Sequence, residues 1–128
     1  MPYYTFSIGW PHKDLSPNGR PGNRYAKARQ VKAMLTEAFY EAKAHGVEQT
    51  DAAHIHFTFH PKAKGPPPDS DNALASVKAA VDGIAKALGL DDRYIGISHH
   101  VSAERRGCVV VNVSTGEAAK IPLKGTVS

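Results

Sequence analysis

Asp69 and Asp71 stand one residue apart, and Asp91 and Asp92 stand side by side some twenty residues later. Carboxylates are hard oxygen ligands that suit Mg²⁺, which keeps several waters and completes its shell with substrate phosphate oxygens. Such an ion prepares a water for attack on phosphorus and offsets charge on the leaving oxygen. In an extended segment Asp69 and Asp71 project to the same side. Asp92, or Asp91, would add a further ligand. Lys78, between the pairs, could stabilise phosphoryl charge. Each acid also has a structural use. Asp69 or Asp71 could cap the helix that follows, and Asp91 and Asp92 could be turn residues after Gly89. Asp82 lies four residues after Lys78, and we read it as the partner of a surface ion pair.

The pairs flank an amphipathic stretch. Leu74, Val77, Val81, Ile84 and Leu88 recur at steps of three and four, which predicts a single helix. At ~1.5 Å per residue it would span roughly 25–30 Å. The pairs therefore meet only if the chain turns back after Leu90 or if two subunits share a site.

The remaining elements follow from shorter signals. Tyr3–Ile8 alternates as a strand, and the Pro, Gly and Asn of His12–Asn23 mark a loop. Residues 24–45 carry an apolar stripe at helical spacing (Val31, Met34, Leu35, Ala38, Phe39, Ala42) that Gly46 should stop. Ala52–His60 alternates, with Ile55, Phe57 and Phe59 on one side and His54, His56, Thr58 and His60 on the other. Three alternate histidines could bind Zn²⁺ or Ni²⁺, but a polar, pH-sensitive outer face is the preferred reading. Pro61–Pro68 is an extended linker. Arg93–Val101 and Cys108–Val113 read as two strands of a hairpin around SAERRG. The expected fold is α+β, in the order β-α-β-α-β-β: a two-layer mixed sheet with two helices on one face. A single domain should fill residues 1–128, with a loosely ordered tail from about residue 114.

Composition narrows the function. With 41% hydrophobic and 22% charged residues in 128, the chain reads as globular. A lone cysteine excludes an internal disulfide and fits a reducing compartment, and no apolar run approaches a membrane span. No signal peptide is evident, so a cytoplasmic location is expected. Net charge is +4, and residues 1–35 hold six basic side chains against Asp14 alone. Basic surface beside acids suits a polyanion next to a metal. The candidate DNA contacts are Lys13, Asn18, Arg20, Arg24, Lys27, Lys62 and Lys64.

The motifs D-S-D-N at 69–72, K-A-A-V-D-G-I at 78–84 and L-G-L-D-D at 88–92 resemble the RusA-type Holliday junction resolvases. SIGWPHKDLSPNGR also looks like that family's first strand, W-P and Asn-containing loop. The resemblance covers roughly residues 5–113. It implies a bacterial or prophage-encoded homodimer that uses Mg²⁺ to cut four-way DNA junctions. It places catalytic acids at Asp69, Asp71 and Asp92, with Asp91 as a further possible ligand, and the active-site lysine at Lys78. In the best-known members that lysine lies three residues after the Asn, where this chain has Ala75. Three added residues turn a helix by about 300°, so Lys78 would reach a similar side one turn later. The competing expectations are a module that binds branched DNA without cutting it and a metal-binding protein built on the His-rich strand.

Overall fold

The computed structural model describes residues 3–12, 15, 24–68 and 70–116, and for Arg24, Ser70 and Asp71 it describes the backbone only. Four strands form one mixed sheet: β1 (Tyr3–Gly9), β2 (Ala53–His60), β3 (Ile95–Val101) and β4 (Cys108–Thr115). Three helices accompany it: α1 (Arg24–Ala44), α2 (Ser70–Ser76) and α3 (Lys78–Leu88). A 3₁₀ turn at Asp92–Tyr94 leads into β3. No helix among the described residues is long and apolar enough to cross a membrane.

The strand order is β1-β4-β2-β3. β4 runs antiparallel to both of its neighbours, and β2 and β3 are parallel. The expected β3–β4 hairpin is therefore not formed. β3 reaches its place by a helical crossover from β2. The chain then passes over the end of β2 and inserts β4 between β1 and β2. A six-residue connection is as able to skip one strand as to close a hairpin, and the central position suits β4 because its Val109, Val111 and Val113 are buried. The crossing is pinned by hydrogen bonds from Ser102 N to Phe59 O (2.8 Å) and from Gly107 N to His60 O (2.9 Å). It covers His60, which is buried, unlike the outward histidine expected from strand alternation. β4 continues through buried Ser114 to Thr115, past the start of the expected loose tail, and residues 117–128 lie outside the described part.

One face of the sheet carries the core. Phe6, Val111 and Phe57 share a rung, as do Ile8, Val109 and Phe59, and all are almost fully buried. α1 contributes Met34, Ala38 and Ala42 from its predicted stripe, while Val31 is exposed. α1 and α3 approach so closely that a Cβ on Gly83 would lie 2.3 Å from the Leu35 carbonyl oxygen. Glycine there is required by the contact between the two backbones.

The predicted long helix is broken in two. Val77 leaves the helical region (φ −110°, ψ 14°), and Ser76 Oγ donates to the Ala73 carbonyl at 2.6 Å. A serine bonding back along a helix competes with the regular ladder and bends it. The apolar stripe survives the break, since Val77, Val81, Ile84 and Leu88 are all buried. At the other end Gly89 takes the left-handed conformation (φ 67°), with Gly89 N bonding to Lys86 O and Leu90 N to Ala85 O. This Schellman closure turns the chain back.

Candidate functional site

α2 is short and surrounded by hollows, and its neighbours explain why. β1 ends at Gly9, whose N–H donates to Glu37 Oε2 at 3.1 Å and so ties the strand end to α1. Trp10 follows and stands edge-on to Phe59, ring centroids 6.2 Å apart. The linker after β2 is held by Arg105, whose Nη1 donates to the carbonyls of Lys62 (2.7 Å) and Gly65 (2.9 Å). The sequence marked Arg105 only as a turn residue, and no local pattern foretells a clamp on a segment forty residues away.

Four adjoining hollows run along this edge. One of about 380 Å³, between the end of β1 and α1, is lined by Trp10, His12, Gln30, Glu37 and Lys62. A smaller one of about 120 Å³ shares Trp10 and His12 and adds Phe59, Asn72 and Ser76. Next to it, a hollow of about 270 Å³ brings Lys27, Ser76, Lys78 and Asp82 together with Leu15. The last, about 420 Å³, is formed by Leu74, Lys78, Val81, Asp82, Asp92 and Ile97. Neighbouring hollows share lining residues, and we refer to the series, three of whose members touch α2, as a groove.

The backward turn at Gly89 thus returns Asp92 to the side of α3 that carries Lys78. Of the expected site residues, Lys27, Lys62, Lys78 and Asp92 all line the groove. Asp71 lies in the first turn of α2, one turn before Leu74 and Ala75, which line the hollow with Asp92. Arg24 opens α1, one turn before Lys27. Lys64 is exposed on the linker. Asp69, Lys13, Asn18 and Arg20 lie outside the described residues.

Asp91 takes a different role from its neighbour. Its carboxylate caps the 3₁₀ turn by accepting from Arg93 N at 3.1 Å, and it also meets Arg93 Nη2 at 3.2 Å. The backbone N–H of Arg93, then its guanidinium, hold the Asp91 carboxyl below the usual carboxylate range. The turn reading of Asp91 therefore describes its geometry, and Asp92 is the member of the pair that faces the groove.

The expected Lys78–Asp82 ion pair is absent. The ion pairs among the described residues are Glu41–His45, Asp91–Arg93 and Glu104–Arg106. Lys78 and Asp82 are exposed, and an i,i+4 pair gains only ~0.3–0.5 kcal/mol, too little to hold two solvated side chains. Both line the groove, as do Trp10, His12 and Asn72, which were not among the candidate site residues. The D-x-D-N context was the available signal for Asn72, and only the fold places the other two.

Among the described residues no three His, Cys, Asp or Glu side chains are grouped to hold a metal ion. His54, His56 and His60 are accordingly not gathered as a three-ligand set. His54 Nε2 and His56 Nδ1 instead lie 2.8 and 2.7 Å from one hydroxyl, Ser98 Oγ, while His60 Nδ1 lies 3.1 Å from the Glu104 carbonyl.

A search of curated proteins finds an uncharacterized protein of Xylella fastidiosa (strain Temecula1), 34% identical over a 119-residue alignment that covers 86% of this chain and 75% of the relative. The chain belongs to the same family as that protein. No established family model matches the sequence.

Proposed function

We propose that the chain is a RusA-type, Mg²⁺-dependent endodeoxyribonuclease that cuts four-way DNA junctions. The observation that carries this reading is the return of Asp92 to the hollow lined by Lys78 and by α2, the helix that begins within the D-x-D-N motif. The ordered motifs and this juxtaposition agree, although they come from different kinds of observation.

Asp69, Asp71 and Asp92 offer only carboxylate oxygens, a donor set that fits a hard cation such as Mg²⁺. When bound, that ion supplies a nucleophilic water and charge compensation at the leaving oxygen. The chain's own residues have separable tasks. Lys27 and Lys62, at different points along the groove, draw and hold phosphates. Lys78, at the start of α3, meets the negative charge that builds on the phosphoryl group. Asn72 and Trp10 shape the narrow hollow beside α2 and limit which part of a strand can enter it. Work on a branched substrate by paired incisions calls for two chains acting together, so a homodimer belongs to the same proposal.

The test is cleavage of a synthetic four-way junction with Mg²⁺ by the wild-type chain and by Asp71→Asn and Asp92→Asn. Loss of at least 100-fold in rate by each variant, with junction binding retained, is expected. No cleavage by the wild type, together with junction binding in EDTA, would instead identify a branched-DNA-binding module. Affinity should fall with salt, each phosphate contact adding about −0.9 to the log–log slope, and a flat response would remove DNA from the account.

A further inference from the structure

The linker between β2 and α2 is held by the loop that joins β3 to β4. Gly107 N–H donates to the carbonyls of His60 (2.9 Å) and Pro61 (3.1 Å). Arg105 Nη1 donates to those of Lys62 (2.7 Å) and Gly65 (2.9 Å). The loop is itself fixed to the sheet, by Ser102 N on Phe59 O (2.8 Å) and by the approach of His60 Nδ1 to Glu104 O (3.1 Å). Glu104 pairs with Arg106 at 2.8 Å, so the two adjacent arginines have different tasks.

Gly65 is the joint of this linker. Its φ of 100° lies in a region that favours glycine, and a Cβ there would meet no atom within 4 Å. Hydrogen bonding rather than packing therefore holds it. Pro66, Pro67 and Pro68 follow. Proline fixes its own φ and restrains the residue before it, so the three make a stiff spacer of ~9 Å. Such a spacer acts as a lever. A swing of ~20° at Gly65 would carry its far end, beside α2, by ~3 Å.

We propose that Arg105 is a positioning residue for junction cleavage: it locks the Gly65 joint and so sets where α2, with Asp71 in its first turn, stands relative to Asp92. The inference rests on the nuclease reading. Misplacement by ~1 Å can cost about 100-fold in rate, and the lever turns a small loss of restraint at the joint into a larger shift than that. Lys62, on the clamped stretch, lines the groove. One guanidinium thus orders both a phosphate contact and the start of α2. Its hydrogen bonds are charge-assisted, which suits a clamp at an exposed position. A direct contact of Arg105 with DNA phosphate is the rival role. It would weaken binding and flatten the salt dependence, whereas positioning acts on turnover.

With saturating four-way junction and Mg²⁺, Arg105→Ala should turn over at least tenfold more slowly than the wild type. Its junction affinity should stay within threefold and its salt slope should not change. Arg105→Lys should recover most of the rate, because a single nitrogen makes both bonds and an ammonium can replace it. Arg106→Ala removes the same charge from the same loop and should cut like the wild type. Without DNA or Mg²⁺, a lysine-specific protease should cleave Arg105→Ala after Lys62 and Lys64 at least tenfold faster than the wild type. A cutting wild type with a fully active Arg105→Ala would overturn this proposal alone. So would unchanged proteolysis of the linker, or a salt slope shallower by about 0.9, which would make Arg105 a phosphate contact. A wild type that cuts no junction would overturn the nuclease reading, and the positioning role with it.

Discussion

Phe57 and His56 are neighbours in sequence and stand on opposite faces of the same strand. On the helix side Phe57 shares its rung with Phe6 and Val111 and is fully buried. On the other side His56 shares its rung with Thr5, Asn112 and Ser98 and is bonded to a hydroxyl. The first rung is stabilised by apolar area removed from water, the second by mutual satisfaction of polar groups. Formal charge is absent from both and collects in the groove at the sheet's edge, as Lys27, Lys62, Lys78, Asp82 and Asp92. A small α+β chain can thus give its core, an uncharged hydrogen-bonded sheet face and a charged groove to three different sides.

Substitutions can break or sharpen this contrast. The largest difference is expected between Phe57→Ala and His56→Ala. The first leaves a cavity in the core and should cost ~3–5 kcal/mol in urea unfolding. The second leaves Ser98 still bonded by His54 and should cost about 1 kcal/mol or less. Equal losses would show that the two faces are not differently stabilised. Next is Gly83→Ala, where the new methyl group meets the Leu35 carbonyl and must push α1 from α3. A loss of ~1–3 kcal/mol is expected, and none would mean the helices separate freely.

A pH series separates the faces without mutation. His54 and His56 have folded pKa values below the unfolded ~6.5, so the unfolded chain binds protons first. Their contribution is whole above about pH 6.5 and declines as the pH falls below it. Thermal melts should show this decline in the wild type and less of it in a His54→Asn/His56→Asn double variant. The smallest expected effect is that of Gly96→Ala, whose Cβ would lie 2.5 Å from His54 Nδ1 and displace the ring, and which should cost ~0.5–1.5 kcal/mol. Nearly all of that loss should vanish when Ser98 is already Ala, because the same hydrogen bond has been removed.

Much of the architecture was legible in the sequence because it depends on local periodicity. The strands at Tyr3 and Ala53, the helix from Arg24 and the stops at Gly46 and Gly89 follow from alternation, three-four spacing and the glycine preference of the left-handed conformation. The break at Val77 was not legible, since the apolar stripe continues through it and the deciding bond, Ser76 to Ala73, is a choice of rotamer. The position of β4 was hidden for a different reason. A short connection specifies that β3 and β4 are near each other, not that they pair. The groove illustrates both cases: the carboxylates and lysines drew notice by type and spacing, whereas His12 and Arg105 matter only through contacts made far along the chain.

The sequence by itself determined which face of β2 turns Ile55, Phe57 and Phe59 inward, that helices stop before Gly46 and Gly89, and that acids and lysines gather around residues 66–92. Those properties depend on backbone preference and side-chain period, which act over a few residues. Only the tertiary structure decided that Asp92 returns beside Lys78 while Asp91 caps a turn, and that uncharged residues from four strands share one face. Both outcomes depend on strand order and on a chain reversal after α3, and those are settled by packing the whole core at once.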